Sequence, residues 1–453
     1  MKKAVQYAII TLLLIAMLSS SILSVEAQKS STQNTWVTKA QMHTPRGDLG
    51  VAAVNGKIYA IGGIIKPAQY DPAAHTSLPL ITPPELTDAN EEYDPATNTW
   101  SIKADIPTAR AEFATAVIGN RIFCIGGESQ TSYRAATEVY DTQTNNWTGK
   151  AALPIDVESP LQAVVIQEKI YVTSRSANYV YDPLNNNWTE FASISLAING
   201  SFCCSTFDNK LYVISSPFIQ IYDPATGNWT KGSQIPVALT QPIAVATYGV
   251  DAPKRIYVFD GSIAASYDPQ TTIWEAGSSL PSTQTVINFV KTDVTNQGHF
   301  GVAVINDRIY VVGGQGEGYT QLPTNQEYLP IGYGTIAPEI TVAAPAAANY
   351  STSNITLAFT INKPVNSTVL QLDNQNQTIQ GNYTLTNLQN GPHTIVLYAT
   401  DTLGNTGASQ SVTFNVAAPI ESQGLPLPLL YGFCVAIVAV GVVLVLYFKR
   451  KHY

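Results

Sequence analysis

The side chains best suited to metal or nucleophilic chemistry are few in this 453-residue chain: five histidines and four cysteines, all scattered. His43, His75, His299, His393 and His452 lie far apart along the chain. Cys124, Cys203, Cys204 and Cys434 form neither a CxxC metal pair nor a disulfide framework, since adjacent cysteines rarely bridge each other, and all four read as packing residues. No phosphate loop, nucleophile elbow or zinc motif is present. The net charge is −8 with only 12% of residues charged, so no basic patch exists to neutralise a phosphate backbone and nucleic acid is excluded as a partner. No cofactor and no metal is expected. What remains is a set of carboxylates and arginines, and their use depends on the elements that gather them.

Those elements repeat. Five tryptophans close a phrase opened by a tyrosine seven residues earlier: YDPATNTW (Tyr93 to Trp100), YDTQTNNW (Tyr140 to Trp147), YDPLNNNW (Tyr181 to Trp188), YDPATGNW (Tyr222 to Trp229) and YDPQTTIW (Tyr267 to Trp274). The sixth, Trp36, has no tyrosine before it, and Tyr328 has no tryptophan after it, as a closed ring would leave at its seam. Between the phrases run short strand-type strings such as KIYAIGG, RIFCIGG and RIYVVGG, entered through Asn-Gly-like turns. Upstream of most lies a small apolar strand, for example LGVAAV, FATAVI and FGVAVI. Four short antiparallel strands per repeat is the period of a propeller blade.

The Gly-Gly pair, the tyrosine and the tryptophan at this spacing resemble the Kelch family over residues 33–331. The resemblance implies a six-bladed propeller, closed by Trp36 on the last blade, which removes exposed sheet edges. Sixteen residues before the first glycine stand Arg46 and Arg110, where the family often places arginine; Glu158, Asn199 and Gln297 hold the place in other repeats, and an insertion (249–254) blurs it in the fifth. In the family this position and the residues just beyond the glycines face one mouth of the central channel. By that likeness Arg46, Asp48, Arg110, Glu112, Glu128, Arg175, His299 and Glu317 form a mixed-charge ligand-binding rim. The segment from Ile64 to Asn90 is longer than its counterparts, rich in proline and threonine, and reads as an ordered flap over that mouth.

Residues 338–417 change texture to alternating strands (EITVAAP, NITLAFTIN, STVLQLDN, NYTLTNL, HTIVLYATD, SVTFNVA) that suit a small β-sandwich. They resemble immunoglobulin- or fibronectin-like modules of archaeal and bacterial surface proteins. Sequons at Asn349, Asn354, Asn366, Asn376 and Asn382 make this region the candidate for glycosylation, whereas Asn146, Asn187 and Asn228 precede repeat tryptophans and read equally as turn residues. The chain starts with a signal-like stretch (1–27). It ends with a linker (418–428), an apolar run (429–448) expected to span a membrane, and a basic tail (449–453) expected in the cytoplasm.

The expected fold class is therefore all-β, a propeller followed by a sandwich, with one C-terminal transmembrane helix. The expected function is that of a cell-membrane protein, single-pass with its N-terminal region outside, displaying the propeller to bind a surface protein or glycan. A carbohydrate-active enzyme is the alternative. The family's sialic-acid mutarotases need only acid–base residues at the mouth, which Glu112, Glu128 and Glu317 near Arg46 or Arg110 could supply. Its copper oxidases need a cysteine linked to a tyrosine, and Cys124 sits in an apolar strand. A structural envelope component is a further alternative.

Overall fold

In the computed structural model the described residues are 33–70, 80–129, 135–155, 160–194, 198, 200–287, 290–294, 298–419 and 427–450. The signal-like segment, His75, Glu158, Asn199, Gln297 and His452 lie outside them. The chain divides into two compact units, Met1–Ile336 and Ala337–Tyr453.

The first unit is all-β. Among the described residues it contains six four-stranded antiparallel sheets. Sheet one comprises Gly50–Val54, Lys57–Ile61, Asn90–Asp94 and Thr99–Ile102; sheets two to five start at Ala114–Ile118, Gln162–Ile166, Cys203–Phe207 and Ile243–Ala246. Sheet six takes Phe300–Ile305, Arg308–Gly313 and Asn325–Leu329, and its outer strand is Thr35–Thr38 from the start of the unit. Trp36 faces Tyr328 in that pairing. The first strands touch one another in cyclic order, sheet six returning to sheet one, so they line a closed central channel.

The tyrosine–tryptophan phrase explains how neighbouring sheets lock. Each tyrosine stands directly opposite its tryptophan across the third and fourth strands, with ring centroids 4.8 to 5.2 Å apart. Each indole N–H then crosses to the preceding sheet, four residues past that sheet's own tryptophan. Trp100 donates to the Ala40 carbonyl (2.7 Å), Trp147 to Ala104 (2.8 Å), Trp188 to Ala151 (2.8 Å), Trp229 to Ala192 (2.9 Å) and Trp36 to Ser278 (2.9 Å). Trp274 reaches the Ser233 hydroxyl at 3.3 Å. Two residues before the tryptophan, Asn98, Asn145, Asn186 and Asn34 sit at φ of 54°, 56°, 50° and 55°. Each amide oxygen accepts the tyrosine hydroxyl of its sheet (2.8, 2.6, 2.7 and 2.7 Å). The same oxygen accepts a backbone N–H of the preceding sheet, from Ala40, Ala104, Ala151 and Ser278 (2.9, 2.9, 3.0 and 2.6 Å). Asparagine suits this node because it tolerates the left-handed backbone and carries an acceptor. Asn146 and Asn187 are exposed residues next to it, and exposed Asn228 follows Gly227, so in each case the left-handed turn residue is the preceding one.

Three connections depart from the repeat. The flap segment folds as two short ladders, Ile64–Lys66 with Glu85–Leu86 and Gln69–Tyr70 with Leu80–Thr82; its tip (71–79) lies outside the described residues. Between sheets five and six a further hairpin forms over Thr283–Ile287 and Val290–Val294. The insertion before the second strand of sheet five folds around Asp307 of sheet six. That buried carboxylate accepts backbone N–H groups of Tyr248, Val250 (2.7 Å), Asp251 (2.7 Å) and Ala252 (3.1 Å).

The second unit holds a three-stranded sheet (Ile340–Ala344, Ile355–Ile361, Tyr383–Leu385) and a larger sheet built on Gly391–Asp401, with Val365–Leu372 on one side and Val412–Val416 on the other. Strand alternation puts Ile395, Leu397 and Ala399 inward, and these share one apolar cluster with Ile355, Leu357, Leu370 and Phe414. Asn349, Asn354, Asn366, Asn376 and Asn382 are all exposed.

The C-terminal run corrects the sequence-based expectation. A helix forms over Leu427–Arg450, but its side chains are described only from Val435, and among the described residues no helix is long and apolar enough to cross a membrane. The single-pass membrane placement expected from the sequence is withdrawn.

Candidate functional site at the channel mouth

Where the six first strands begin, they enclose a cavity of about 270 Å³. Each sheet contributes two adjacent residues, at the same position in sheets one to four and six and one residue later in the strand register in sheet five. The second of them forms an apolar floor of Leu49, Phe113, Leu161, Phe202, Ile243 and Phe300. The first forms a collar, where sheets three, four and five give Pro160, Ser201 and Pro242, with Gln241 beside it, and sheets six, one and two give His299, Asp48 and Glu112.

The last three are linked. His299, Asp48 and Glu112 all have left-handed backbones, with φ of 60°, 51° and 55°. The Asp48 N–H donates to the His299 carbonyl (2.7 Å), and the Glu112 N–H donates to the Asp48 carbonyl (3.0 Å). The series stops at sheet three because Pro160 has no N–H to give. His299 Nδ1 lies 2.6 Å from Asp48 Oδ1. Burial pulls the His299 pKa down, but the hydrogen bond and charge of Asp48, aided by the charge of Glu112, outweigh it and hold the value above the ordinary one. The mouth thus carries a preformed acidic arc on one side and a neutral wall on the other.

The structure separates the remaining rim candidates from this arc. Arg46 and Arg110 are fully buried beneath it and outside the cavity lining. Arg46 donates to the Ala60 carbonyl (2.9 Å) and lies 3.3 Å from Glu91, and burial lowers its pKa to about 10 despite the Glu91 and Asp105 charges. Arg110 donates to the Gly126 and Ala136 carbonyls (3.0 and 3.1 Å) and pairs with Glu138. Their role is to brace the strand starts. Glu128 meets Ala111 through a backbone bridge, and Glu317 is exposed on a 3₁₀ turn (Glu317–Tyr319). Arg175, donating to the Gly200 carbonyl (3.2 Å), lines a separate small pocket with Ser174 and Ser176. The flap is rooted at the mouth, since Ile64 and Gly47 exchange backbone hydrogen bonds of 2.8 and 3.1 Å.

The neutral wall and apolar floor were missing from the sequence-derived set. Their signal was available: strings such as LGVAAV, FATAVI and FGVAVI each open on the floor residue. Among the described residues no group of three or more His, Cys, Asp or Glu side chains could hold a metal ion. Cys124 is fully buried, and burial pushes its thiol up to about 12.

Comparison with known proteins agrees with this geometry. A Kelch motif matches residues 109–154, which contain all of sheet two. The matched motif and the similarity to Kelch-like proteins support Kelch repeats in this chain. It is 26% identical over 143 residues to mouse "Kelch-like protein 35", covering 32% of this chain and 22% of that one. The human protein of the same name is 31% identical over 101 residues, covering 22% of this chain and 14% of its own. Human "Kelch repeat and BTB domain-containing protein 12" is 34% identical over 77 residues, 17% of this chain and 11% of that protein. The match thus spans about a fifth or less of these relatives' length.

Proposed function

We propose that residues 33–331 form a six-bladed Kelch propeller whose channel mouth binds a projecting segment of a partner, a protein or a glycan, and that residues 338–417 form an immunoglobulin- or fibronectin-like spacer. The observation that carries this reading is the collared cavity to which all six first strands contribute. Its acidic arc is backbone-fixed and its floor is apolar, as suits a recognition site. Arrays of peptides and of glycans probed with the full chain test it: retention is expected, and Ser201→Trp, which fills the mouth, should abolish it. Retention unaffected by that change would place binding elsewhere.

The hydrogen-bonded Asp48–His299 pair supports a second reading, an acid–base catalyst acting on a sugar in the manner of the sialic-acid mutarotases. It predicts accelerated anomer exchange that is lost in His299→Asn. Exchange at the uncatalysed rate favours the binding function.

A further inference from the structure

Resting on that binding function, we infer that the mouth selects a cationic side chain, a lysine or arginine presented on a projecting loop of a partner protein. Among the described residues, the charged ones lining the cavity are Asp48, Glu112 and His299, and no described lysine or arginine lines it. The two arginines nearest in sequence are committed below the rim to Glu91 and Glu138 and to backbone carbonyls, so their charge is already matched. His299 is engaged with Asp48. The fixed charge offered to a ligand is therefore negative.

The arc is also rigid. Three successive residues in left-handed geometry, joined through their backbones, hold both carboxylate-bearing positions in place before any ligand arrives. Preorganised charge of this kind attracts an opposite charge without paying for reordering on binding. The floor below it is apolar, and a lysine or arginine matches both layers at once, with a methylene stem against Leu49 and Phe300 and a charged head at the collar. A cavity of about 270 Å³ admits one side chain, not a folded surface. A partner glutamate or aspartate would meet like charge at the arc, which disfavours it.

The test uses the full chain and four fluorescent peptides identical except for a central lysine, arginine, norleucine or glutamate. The lysine and arginine peptides are expected to bind, with norleucine weaker by about tenfold and glutamate weaker still. Asp48→Asn and Glu112→Gln keep the side-chain size, and each should weaken the lysine peptide about tenfold while leaving the norleucine peptide unchanged. Native tryptophan emission verifies that each variant is folded. Norleucine or glutamate binding as tightly as lysine, carboxamide variants without effect, or no peptide binding at all would each overturn cation selection. Ser201→Trp separates the two levels. If it abolishes charge-blind binding, the mouth is a binding site without cation selectivity; if it leaves binding intact, the mouth function itself fails.

Discussion

The asparagine node between neighbouring sheets is missing from sheets four and five, and completing it in sheet five should stabilise the first unit. The position two residues before the tryptophan, held by Asn98, Asn145, Asn186 and Asn34 in sheets one, two, three and six and by Gly227 in sheet four, is Thr272 here, at φ of 60°. A β-branched residue in the left-handed region carries about 1–2 kcal/mol of strain. Threonine also lacks the amide oxygen that accepts the tyrosine hydroxyl in the complete nodes. Thr272→Asn relieves the strain and offers that acceptor to Tyr267, which faces Trp274 as its counterparts do. One recovered hydrogen bond adds about 1 kcal/mol, so the expected gain is about 2 kcal/mol. All six tryptophans lie in the first unit, so their fluorescence during urea or thermal unfolding of the full chain reports on the propeller. The urea midpoint should rise at unchanged slope, and the thermal midpoint should rise by about 4–8 °C. Thr272→Gly relieves the strain without supplying an acceptor and gains unfolded-state entropy, so it should recover less than half of this. Equal midpoints for the asparagine and glycine variants, or a lower midpoint for asparagine, would refute the node as an energetic unit.

Two further predictions concern the same unit. Asp307→Ala leaves the N–H groups of Tyr248, Val250, Asp251 and Ala252 without their shared acceptor and should cost about 3–5 kcal/mol, read as a lowered urea midpoint with new protease cleavage near the insertion; an unchanged midpoint would sink it. The repeat aspartates Asp94 and Asp223 are held below the ordinary pKa first by Lys57 and Lys210, Asp141 by the Thr144 N–H, and Asp182 by the Asn185 side chain. A depressed folded pKa gives stability that is present above the unfolded value and lost as pH falls through the folded one, so the urea midpoint should hold at neutral pH and drop below about pH 4. Replacing the four by asparagine should flatten that drop.

The ring was legible because tyrosine and tryptophan perform a fixed task, and a fixed task imposes fixed spacing. Trp36 and Tyr328 marked the seam for that reason. The site was less legible. Arg46 and Arg110 stand where the family often places arginine, but position along the chain does not reveal direction, and both side chains turn beneath the rim. Asp48, Glu112 and His299 were named individually, yet their serial backbone bonding depends on contacts between strands far apart in sequence. The hairpin over Thr283–Val294 was not distinguished because it breaks the repeat without a turn motif of its own. The apolar run at the C-terminus shows the opposite error, where composition suggested more than the described helix supports.

The glycine pairs connect scaffold and site. At Gly62 an added Cβ would stand 2.6 Å from the Arg110 carbonyl of the next sheet, and at Gly313 the same distance from the Arg46 carbonyl. The following glycines donate to those carbonyls, Gly63 to Arg110 (2.9 Å) and Gly314 to Arg46 (3.0 Å). The left-handed glycines of one sheet thus pin the residues two positions before Glu112 and Asp48 in its neighbour. Sheets six, one and two keep the Gly-Gly pair, and these are the sheets that carry His299, Asp48 and Glu112. Sheets three and four have Ser174 and Ser215 at the first glycine's place and face the neutral side of the mouth. The uneven retention of a scaffold feature therefore coincides with the uneven charge of the mouth. The glycines allow the close approach that fixes the arc, and the residues they leave free to vary set its charge.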